Sequence, residues 1–333
     1  MSREKNVTIY DVAERAGVSA STVSRVFSSP ARVSAKTTAK VYQAARELGF
    51  QREGSSYWEH DKRTKKLAIV VSNMSNPVYS DILSGFRQTA VEHDYSVIVI
   101  NSEKDPDDEH QAVEEIIPLV DGIAFPGSRL TPQSIKQFEK QLPLVLLNRF
   151  VTGHTCIISD IVKGMEIACD YLQELGHNEV LYLAGQEDSW ANVTRWRALQ
   201  KATRERGMKL RQFQDLASGI QGGIDAANRW KPDIATAVIA FNDLMGIGFM
   251  RWVQRLGYRV PDDVSVIGID NSVACEVSAP ELTSLDSGGS VIGSKAARSL
   301  IWQAENRSVR ERKSFVIPVE FTVRRSTGPA PTQ

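Results

Sequence analysis

Arg25 is the side chain in this sequence whose type and surroundings most directly suggest a chemical role. It follows a run of mostly small residues, 19–24, which comes just after Gly17. Small residues at the start of a helix let its backbone approach a DNA duplex closely. A planar guanidinium can pair with the two major-groove acceptors of guanine, which discriminates against other bases by about 1–3 kcal/mol. The pattern predicts a base-reading arginine; the alternative is an arginine on a helix surface in water.

Side chains that would support catalysis form no recognisable set. The five histidines make no His-Glu-x-x-His pair, and neither a Gly-x-Gly-x-x-Gly turn nor a Gly-x-Ser-x-Gly elbow occurs. Residues 288–295 have phosphate-loop glycine spacing, but Ser294 precedes Lys295, which is the reverse of the required order. Three scattered cysteines are too few for a zinc site or a disulfide framework. We expect no enzymatic activity, no metal and no cofactor, and we interpret residues 107–109 as the solvated start of a helix.

Three short helices are predicted to position Arg25. Thr8 and Asp11 form a variant of the capping box, so a helix should begin at Ile9 and end at Gly17. Ser19 is placed to cap a second helix over 20–27, and Ser34 a third over 35–48. The apolar residues of these helices recur at helical spacing and predict a small core. Two helices joined by a glycine turn, the second polar on its outer face, suit insertion into the major groove.

The charge of the chain is divided unevenly between its two ends. Residues 1–66 contain 13 Lys and Arg against 7 Asp and Glu, a net of +6, so residues 67–333 contain 27 against 33, a net of −6. A basic module on an acidic body can bind DNA phosphates, although a solvated charge run would look the same. No apolar stretch is long enough for a membrane span, and residues 1–8 are too polar for a secretory signal. We therefore expect a cytoplasmic protein.

Short apolar runs alternate with amphipathic stretches from residue 67 onward, which is typical of parallel strands with crossover helices. The predicted strands are 67–71, 96–100, 122–125, 144–147, 180–184, 237–241 and 264–269. The predicted helices are 79–93, 109–119, 162–175, 191–207, 244–256 and 289–305. This alternation predicts a two-lobed α/β body. Ligands of such sheets bind at the carboxyl ends of the strands.

The runs 7–19 and 22–26 resemble the DNA-binding headpiece of the lactose/galactose repressor family. The resemblance implies that Ala20, Ser21 and Arg25 read base edges. It places seven side chains near phosphates: Thr8, Tyr10, Ser19, Thr22, Ser24, Ser34 and Thr37. Further short segments match the same family, the first at residues 75–79 and the last at 323–327. They imply an effector domain similar to a periplasmic sugar-binding protein. The resemblance implies three parts. Residues 1–50 form a small all-α helix-turn-helix headpiece, and residues 51–66 form a hinge or linker. Residues 67–333 form a two-lobed α/β, periplasmic-binding-protein-like domain for effector binding and dimerisation.

The linker departs from the family pattern. Arg52 and Glu53 replace the usual Pro-Asn, and Glu59 occupies the position of the leucine that wedges into the minor groove. A carboxylate gains no stacking there and is repelled by phosphates. Trp58 could act as the wedge instead; packing of its indole against the body of the protein is an equal alternative.

The family resemblance also implies an effector site formed by Tyr79, Asn148, Arg149, Arg195, Asn242 and Asp270. Carboxylate, amide and guanidinium groups can bind paired hydroxyls, and aromatic rings can stack on sugar faces. We therefore expect a small hydrophilic effector such as a sugar or sugar derivative. Two members have structural alternatives: Asp270 could be a turn carboxylate, and Arg149 a salt-bridged arginine.

Taken together, these features predict a sequence-specific, DNA-binding transcription regulator, expected to be a repressor. It would bind a pseudo-palindromic double-stranded DNA operator as a homodimer or a tetramer, and a small-molecule effector would modulate its affinity. The alternative is a cytoplasmic carbohydrate-sensing protein whose DNA-binding hinge is impaired, which the Glu59 position suggests.

Overall fold

A computed structural model of the chain describes residues 7–28, 33–48, 50, 63–102, 106–306 and 312–331. The chain divides into two compact units, residues 1–62 and 63–333. Each unit has its own hydrophobic core. No helix within the described ranges combines the length and the apolar character needed to cross a lipid bilayer.

The first unit contains three helices, α1 (Ile9–Ala16), α2 (Ala20–Ser28) and α3 (Ala35–Leu48). All three begin where the sequence predicts them. The Thr8 backbone N–H and hydroxyl both donate to the Asp11 carboxylate at 2.6 Å, which fixes the start of α1. Gly17 ends α1 with φ 67°, a left-handed conformation that suits glycine. The core is small and apolar, and its buried members are Val12, Ala13, Val23, Val26, Val41, Ala44, Ala45 and Phe50.

The second unit has two lobes, and its elements are numbered in chain order. The strands of the amino lobe are β1 (Lys66–Val71), β2 (Ser96–Asn101), β3 (Gly122–Pro126), β4 (Leu144–Leu147), β5 (Thr155–Ser159) and β11 (Ser314–Ile317). Its helices are α4 (Val78–Glu92), α5 (Pro106–Ile116), α6 (Pro132–Glu139) and α12 (Gly289–Glu305). The strands are ordered β11-β5-β4-β3-β1-β2, and all neighbouring pairs are parallel.

The carboxy lobe repeats this architecture. Its strands are β6 (Glu179–Leu183), β7 (Lys209–Phe213), β8 (Ala237–Ala240), β9 (Ser265–Ile269), β10 (Thr283–Asp286) and β12 (Glu320–Thr322). Its helices are α7 (Ile161–Glu174), α8 (Trp190–Glu205), α9 (Ile220–Arg229), α10 (Asp243–Arg255) and α11 (Ala274–Val277). The order is β12-β10-β9-β8-β6-β7, with only the β10–β12 pair antiparallel among these strands.

Strand order reverses direction beside β1 in the amino lobe and beside β6 in the carboxy lobe. Such reversals open a crevice at the carboxyl ends of the neighbouring strands, where open α/β sheets bind ligands. The chain passes between the lobes three times, after β5, before α12 and between β11 and β12. Each lobe therefore has one crevice, and three connecting segments join the two lobes.

The predicted α/β body is confirmed, and each of the seven predicted strands is present. The strands β5, β7, β10, β11 and β12 and the helices α6, α9 and α11 were not predicted. Most of these are short, and the edge strand β7 mixes charged and apolar residues in the run Lys-Leu-Arg-Gln-Phe. A buried central strand has a continuous apolar signal that an edge strand lacks, because one side of an edge strand meets solvent.

Candidate DNA-binding surface and effector cavity

Helix α2 presents a polar outer face with Arg25 on it. Val23 and Val26 are fully buried against the rest of the unit, whereas Ser21 and Arg25 are exposed. Ser24 is half-buried. Ala20 is also half-buried and packs against the core. Ala20 is the first residue of α2 and falls next to the buried stripe of the helix. It therefore lies at the edge of the outer face.

Four of the predicted phosphate contacts lie at helix starts. The Ser19 hydroxyl accepts the Thr22 N–H at 3.2 Å and lies 2.8 Å from the Thr22 hydroxyl. The Ser34 hydroxyl accepts the Thr37 N–H at 3.2 Å and lies 2.9 Å from the Thr37 hydroxyl. These pairs cap α2 and α3. The first turn of a helix carries unpaired N–H groups and the positive end of the macrodipole, which together favour phosphate.

The remaining predicted DNA contacts are more scattered. Thr8 is exposed and bonded to Asp11. Tyr10 leaves 72% of its surface accessible, and exposed tyrosines are common at interaction surfaces. Trp58 and Glu59 lie outside the described residues. Their proposed roles in the linker stay predictions.

A cavity of about 580 Å³ lies between the two lobes of the second unit, at the carboxyl ends of the strands beside the two reversals. All six side chains predicted to bind effector line it: Tyr79, Asn148, Arg149, Arg195, Asn242 and Asp270. Tyr79 is on α4 and Arg195 on α8, and the other four follow β4, β8 and β9. These positions are separated by up to 191 residues (270 − 79) in the sequence. The fold therefore brings the predicted set together in one place.

Arg195 and Asp270 form a buried ion pair in this cavity. Arg195 Nη2 lies 3.1 Å from Asp270 Oδ1, and both side chains are largely buried. Arg195 Nη1 also donates to the Phe241 carbonyl, and its guanidinium carbon lies 4.7 Å from the centroid of the Phe241 ring. Burial raises the pKa of Asp270 to about 7, against the opposing effect of Arg195. The carboxyl can therefore gain or lose a proton near neutral pH.

The backbone at the predicted site is held in conformations that non-glycine residues adopt rarely. Asp270 and Asn271 have φ values of 110° and 52°, and Asn148, at the equivalent strand end of the other lobe, has 51°. The buried Asp243 holds the first of these turns, since its carboxylate accepts the Ser272 N–H at 2.7 Å. Burial also raises the pKa of Asp243. Such strain persists only where neighbouring bonds enforce it, and it concentrates at ligand sites.

The two asparagines and the tyrosine are each anchored by one hydrogen bond. Asn148 Oδ1 accepts the Ser159 hydroxyl at 3.2 Å, and Asn242 Oδ1 accepts the Met245 N–H at 3.0 Å, which caps α10. The Tyr79 hydroxyl lies 2.8 Å from that of Ser72. Each amide oxygen is thus used within the protein, which leaves the NH₂ groups to donate to a ligand.

Arg149 sits beside a buried carboxylate without pairing to it. Arg149 Nη1 donates to the Ser128 carbonyl at 2.6 Å. Glu109 is only 3% exposed and accepts the Arg129 N–H at 2.9 Å. The interpretation of residues 107–109 as a solvated helix start is therefore wrong for Glu109. The sequence could not reveal this, because the partner N–H belongs to a loop 20 residues further on.

Three residues that the sequence analysis missed connect the lobes across the cavity. Arg129 Nη2 donates to Gln186 Oε1, and Arg129 Nη1 lies 3.5 Å from Asp188 Oδ2. Arg129 follows β3 in the amino lobe, and its two partners follow β6 in the carboxy lobe. All three line the cavity. Their positions just after predicted strands were the available signal, because ligand-site residues gather at strand carboxyl ends.

Each of the two units resembles a known protein family. Residues 8–53 match the model for bacterial regulatory proteins of the lacI family, and residues 169–327 match that for a periplasmic binding protein-like domain. The HTH-type transcriptional repressor CytR of Escherichia coli strain K12 is 30% identical over 341 residues, covering 99% of this chain and 98% of the relative. The chain belongs to the lacI family. Members of this family are transcription regulators and not enzymes, so this lacI-family protein is a DNA-binding transcription regulator.

Two solved structures are similar to this lacI-family regulator over almost its whole length. A lac repressor dimer bound to operator and the anti-inducer ONPF is 27% identical, with a TM-score of 0.71 and coverage of 97% of this chain and 100% of that one. A complex of the transcriptional regulator CelR with cellobiose is 26% identical, also with a TM-score of 0.71, and covers 96% and 99%. The helix-turn-helix unit and the two-lobed α/β unit therefore occur together in these relatives as they do here.

Proposed function

We propose that this regulator is a repressor that reads a double-stranded DNA operator with α2 and binds a sugar or sugar derivative in the cavity between its lobes. The observation that carries the proposal is the convergence of six polar or aromatic side chains from distant parts of the sequence on one cavity of about 580 Å³. A cavity of this size suits a mono- or disaccharide. The cellobiose bound to CelR in one of the two similar structures supports the same ligand class.

The DNA interface in this proposal has two parts. Ala20, Ser21 and Arg25 meet base edges, since they lie along the outer side or edge of α2. Phosphates are held by the capping hydroxyls at the starts of α2 and α3 and by their neighbours: Thr8, Tyr10, Ser19, Thr22, Ser24, Ser34 and Thr37. Trp58 lies outside the described residues, and we keep it as the predicted minor-groove contact in place of the usual leucine. The domain boundaries that accompany this scheme are 1–50, 51–66 and 67–333.

Effector binding acts through the relative arrangement of the lobes. The cavity is lined by both lobes and bridged by Arg129, so a ligand inside it stabilises one arrangement over another. A ligand can shift operator affinity only by as much as its own affinity differs between the two arrangements. Couplings of this kind are typically about 1–3 kcal/mol.

We also propose that the regulator works in the cytoplasm as a homodimer, with a tetramer as the alternative. A pseudo-palindromic operator requires two headpieces related by twofold symmetry. A largely apolar groove lies on the carboxy lobe, and Ile220 and Val277 in its lining are 45% and 81% exposed. We propose that two copies of the chain pack together here. Exposed apolar patches of this kind on a folded domain mark interaction surfaces.

The test is selection of an operator from a random pool of DNA duplexes with the full-length protein, followed by titration against the selected and a scrambled duplex. At about 150 mM salt the selected duplex should bind at least about 10³-fold more tightly. Equal affinity for both would contradict the proposal and would favour a carbohydrate-sensing protein with an impaired hinge. The comparison must be made at one salt concentration, because phosphate contacts depend steeply on salt.

A further inference from the structure

The cavity between the lobes contains more cationic than anionic side chains. Its charged lining residues are Arg129, Arg149, Arg195, Asp188 and Asp270. Asp270 pairs with Arg195, and Asp188 lies beside Arg129 at the bridge between the lobes. Arg149 is the guanidinium that these two carboxylates do not reach.

Arg149 makes few polar contacts within the described part of the protein. Its guanidinium has five N–H donors, and within the described ranges it makes one hydrogen bond, to the Ser128 carbonyl, and no ion pair. Burial lowers the pKa of Arg149, which means that its charge is partly removed from water. Glu109 influences Arg149 electrostatically, but the Glu109 carboxylate accepts the Arg129 N–H instead.

Helix termini add to the positive character of this space. The cavity lining includes Val78, Trp190, Gly219 and Leu244, which lie at the amino-terminal ends of α4, α8, α9 and α10 respectively. The amino-terminal end of a helix carries a partial positive charge, because its first N–H groups have no partner within the helix. Four such ends around one cavity favour a negative group in it.

We propose that the effector of this regulator is an anionic polyol, that is, a sugar acid or sugar phosphate whose carboxylate or phosphate is held by Arg149. The inference rests on the proposed function, because it assumes that this cavity is the effector site. The planar guanidinium can donate two parallel hydrogen bonds to either anion. The NH₂ groups of Asn148 and Asn242 and the Arg195–Asp270 pair are left to bind the hydroxyls of the polyol.

Calorimetric titration of the full-length protein with matched ligands tests the proposal. Glucose is compared with gluconate, glucuronate and glucose 6-phosphate, and ribose with ribonate and ribose 5-phosphate, all at one ionic strength. At least one anion should bind about 10- to 100-fold more tightly than its neutral parent, as expected for hydrogen bonds to a charged group. The carboxylate and phosphate arms show which of the two anions the site takes. This comparison needs no variant, so it stands even if substitutions impair folding.

Arg149→Gln should remove most of the preference for the anion, because the amide keeps hydrogen-bonding capacity but loses the charge. Arg87→Gln is the matched control, since Arg87 is an exposed arginine on α4 in the same lobe and the change in net charge is the same. It should leave both affinities unchanged.

Three outcomes would overturn the inference: neutral parents that bind as tightly as their anions, a panel in which no anion binds, or an Arg149→Gln protein that retains the full preference. In each case, a protein that still binds its operator selectively would show that the proposed DNA-binding function holds and that only the anion preference is wrong. Loss of operator selectivity together with tight anion binding would instead contradict the proposed function alone.

Discussion

At the scale of single residues, the second unit buries charges that its own fold must stabilise. Asp270 illustrates this best, because its carboxylate is buried, paired with Arg195, and carried on a backbone with φ 110°. Asp243 lies close enough to raise its pKa further. A protein would rarely maintain such an arrangement for stability alone, since a buried ion pair seldom outweighs its desolvation. The arrangement is better explained by ligand binding.

The raised pKa of Asp270 predicts a pH dependence of stability. The folded-state pKa of about 7 lies above the unfolded value of about 3.9, so the folded protein retains a proton that the unfolded chain has released. The free energy of unfolding of the wild type, relative to Asp270→Asn, should therefore fall as the pH rises from about 4 to about 7 and then stay constant. Urea unfolding of both proteins across this range measures it. A difference that does not vary with pH would contradict the assignment.

Arg25 supports a prediction about DNA. Arg25→Ala should weaken binding to the selected operator by about 1–3 kcal/mol and change binding to a scrambled duplex much less, because it removes a base contact. Anisotropy titration with both duplexes gives the two values. Arg15→Ala is the control, since Arg15 is an exposed arginine of the same unit that is already paired with Glu47. Equal losses on both duplexes for Arg25→Ala would remove its base-reading role.

At the scale of elements, the helix pair α4 and α12 shows how closely the amino lobe is packed. A methyl group at Gly293 would lie 1.9 Å from the Ile82 carbonyl oxygen, and one at Gly85 the same distance from the Ser290 carbonyl oxygen. The two helices thus approach backbone to backbone. Tyr79 lies on α4, and α12 follows directly after a crossing between the lobes, so their packing fixes one wall of the cavity.

Gly293→Ala should destabilise the protein by about 1–3 kcal/mol, because the added methyl has no space unless the two helices separate. Gly246→Ala provides the matched control, since it is also a helix-interior glycine but a methyl there would meet only side chains at 3.4–3.7 Å. It should be neutral or stabilising by up to about 1 kcal/mol through helix propensity. Denaturant unfolding compares the two. Equal stability of the two variants would show that α4 and α12 are less closely packed than described.

The elements also show what the sequence could and could not predict. Buried strands such as β1 and β9 were predicted because their runs are continuously apolar. Edge strand β7 was missed, because its Lys209 and Arg211 face solvent and interrupt the apolar signal. The six effector side chains came from family resemblance, and the fold alone shows that they share a cavity. Glu109 was misread and the bridge of Arg129 missed, because their partners are distant in sequence.

At the scale of the whole molecule, recognition of one operator requires two copies of the chain. The apolar groove near Val277 is the surface that we expect to join them. Val277→Asp should give monomers by light scattering and should weaken operator binding, because a single headpiece buries little DNA surface. Val162→Asp is the control, on the exposed face of α7, where Val162 is 41% exposed. A Val277→Asp protein that remains dimeric would place the interface elsewhere.

We expect ligand binding between the lobes to change the affinity of the headpiece for DNA. The most direct test is the operator dissociation constant of the full-length protein, measured with and without a saturating amount of whichever sugar, sugar acid or sugar phosphate binds it most tightly. We expect the dissociation constant of the wild type to change by about 5- to 150-fold. An operator affinity that stays the same when the cavity is saturated would show that the cavity and the headpiece are not coupled.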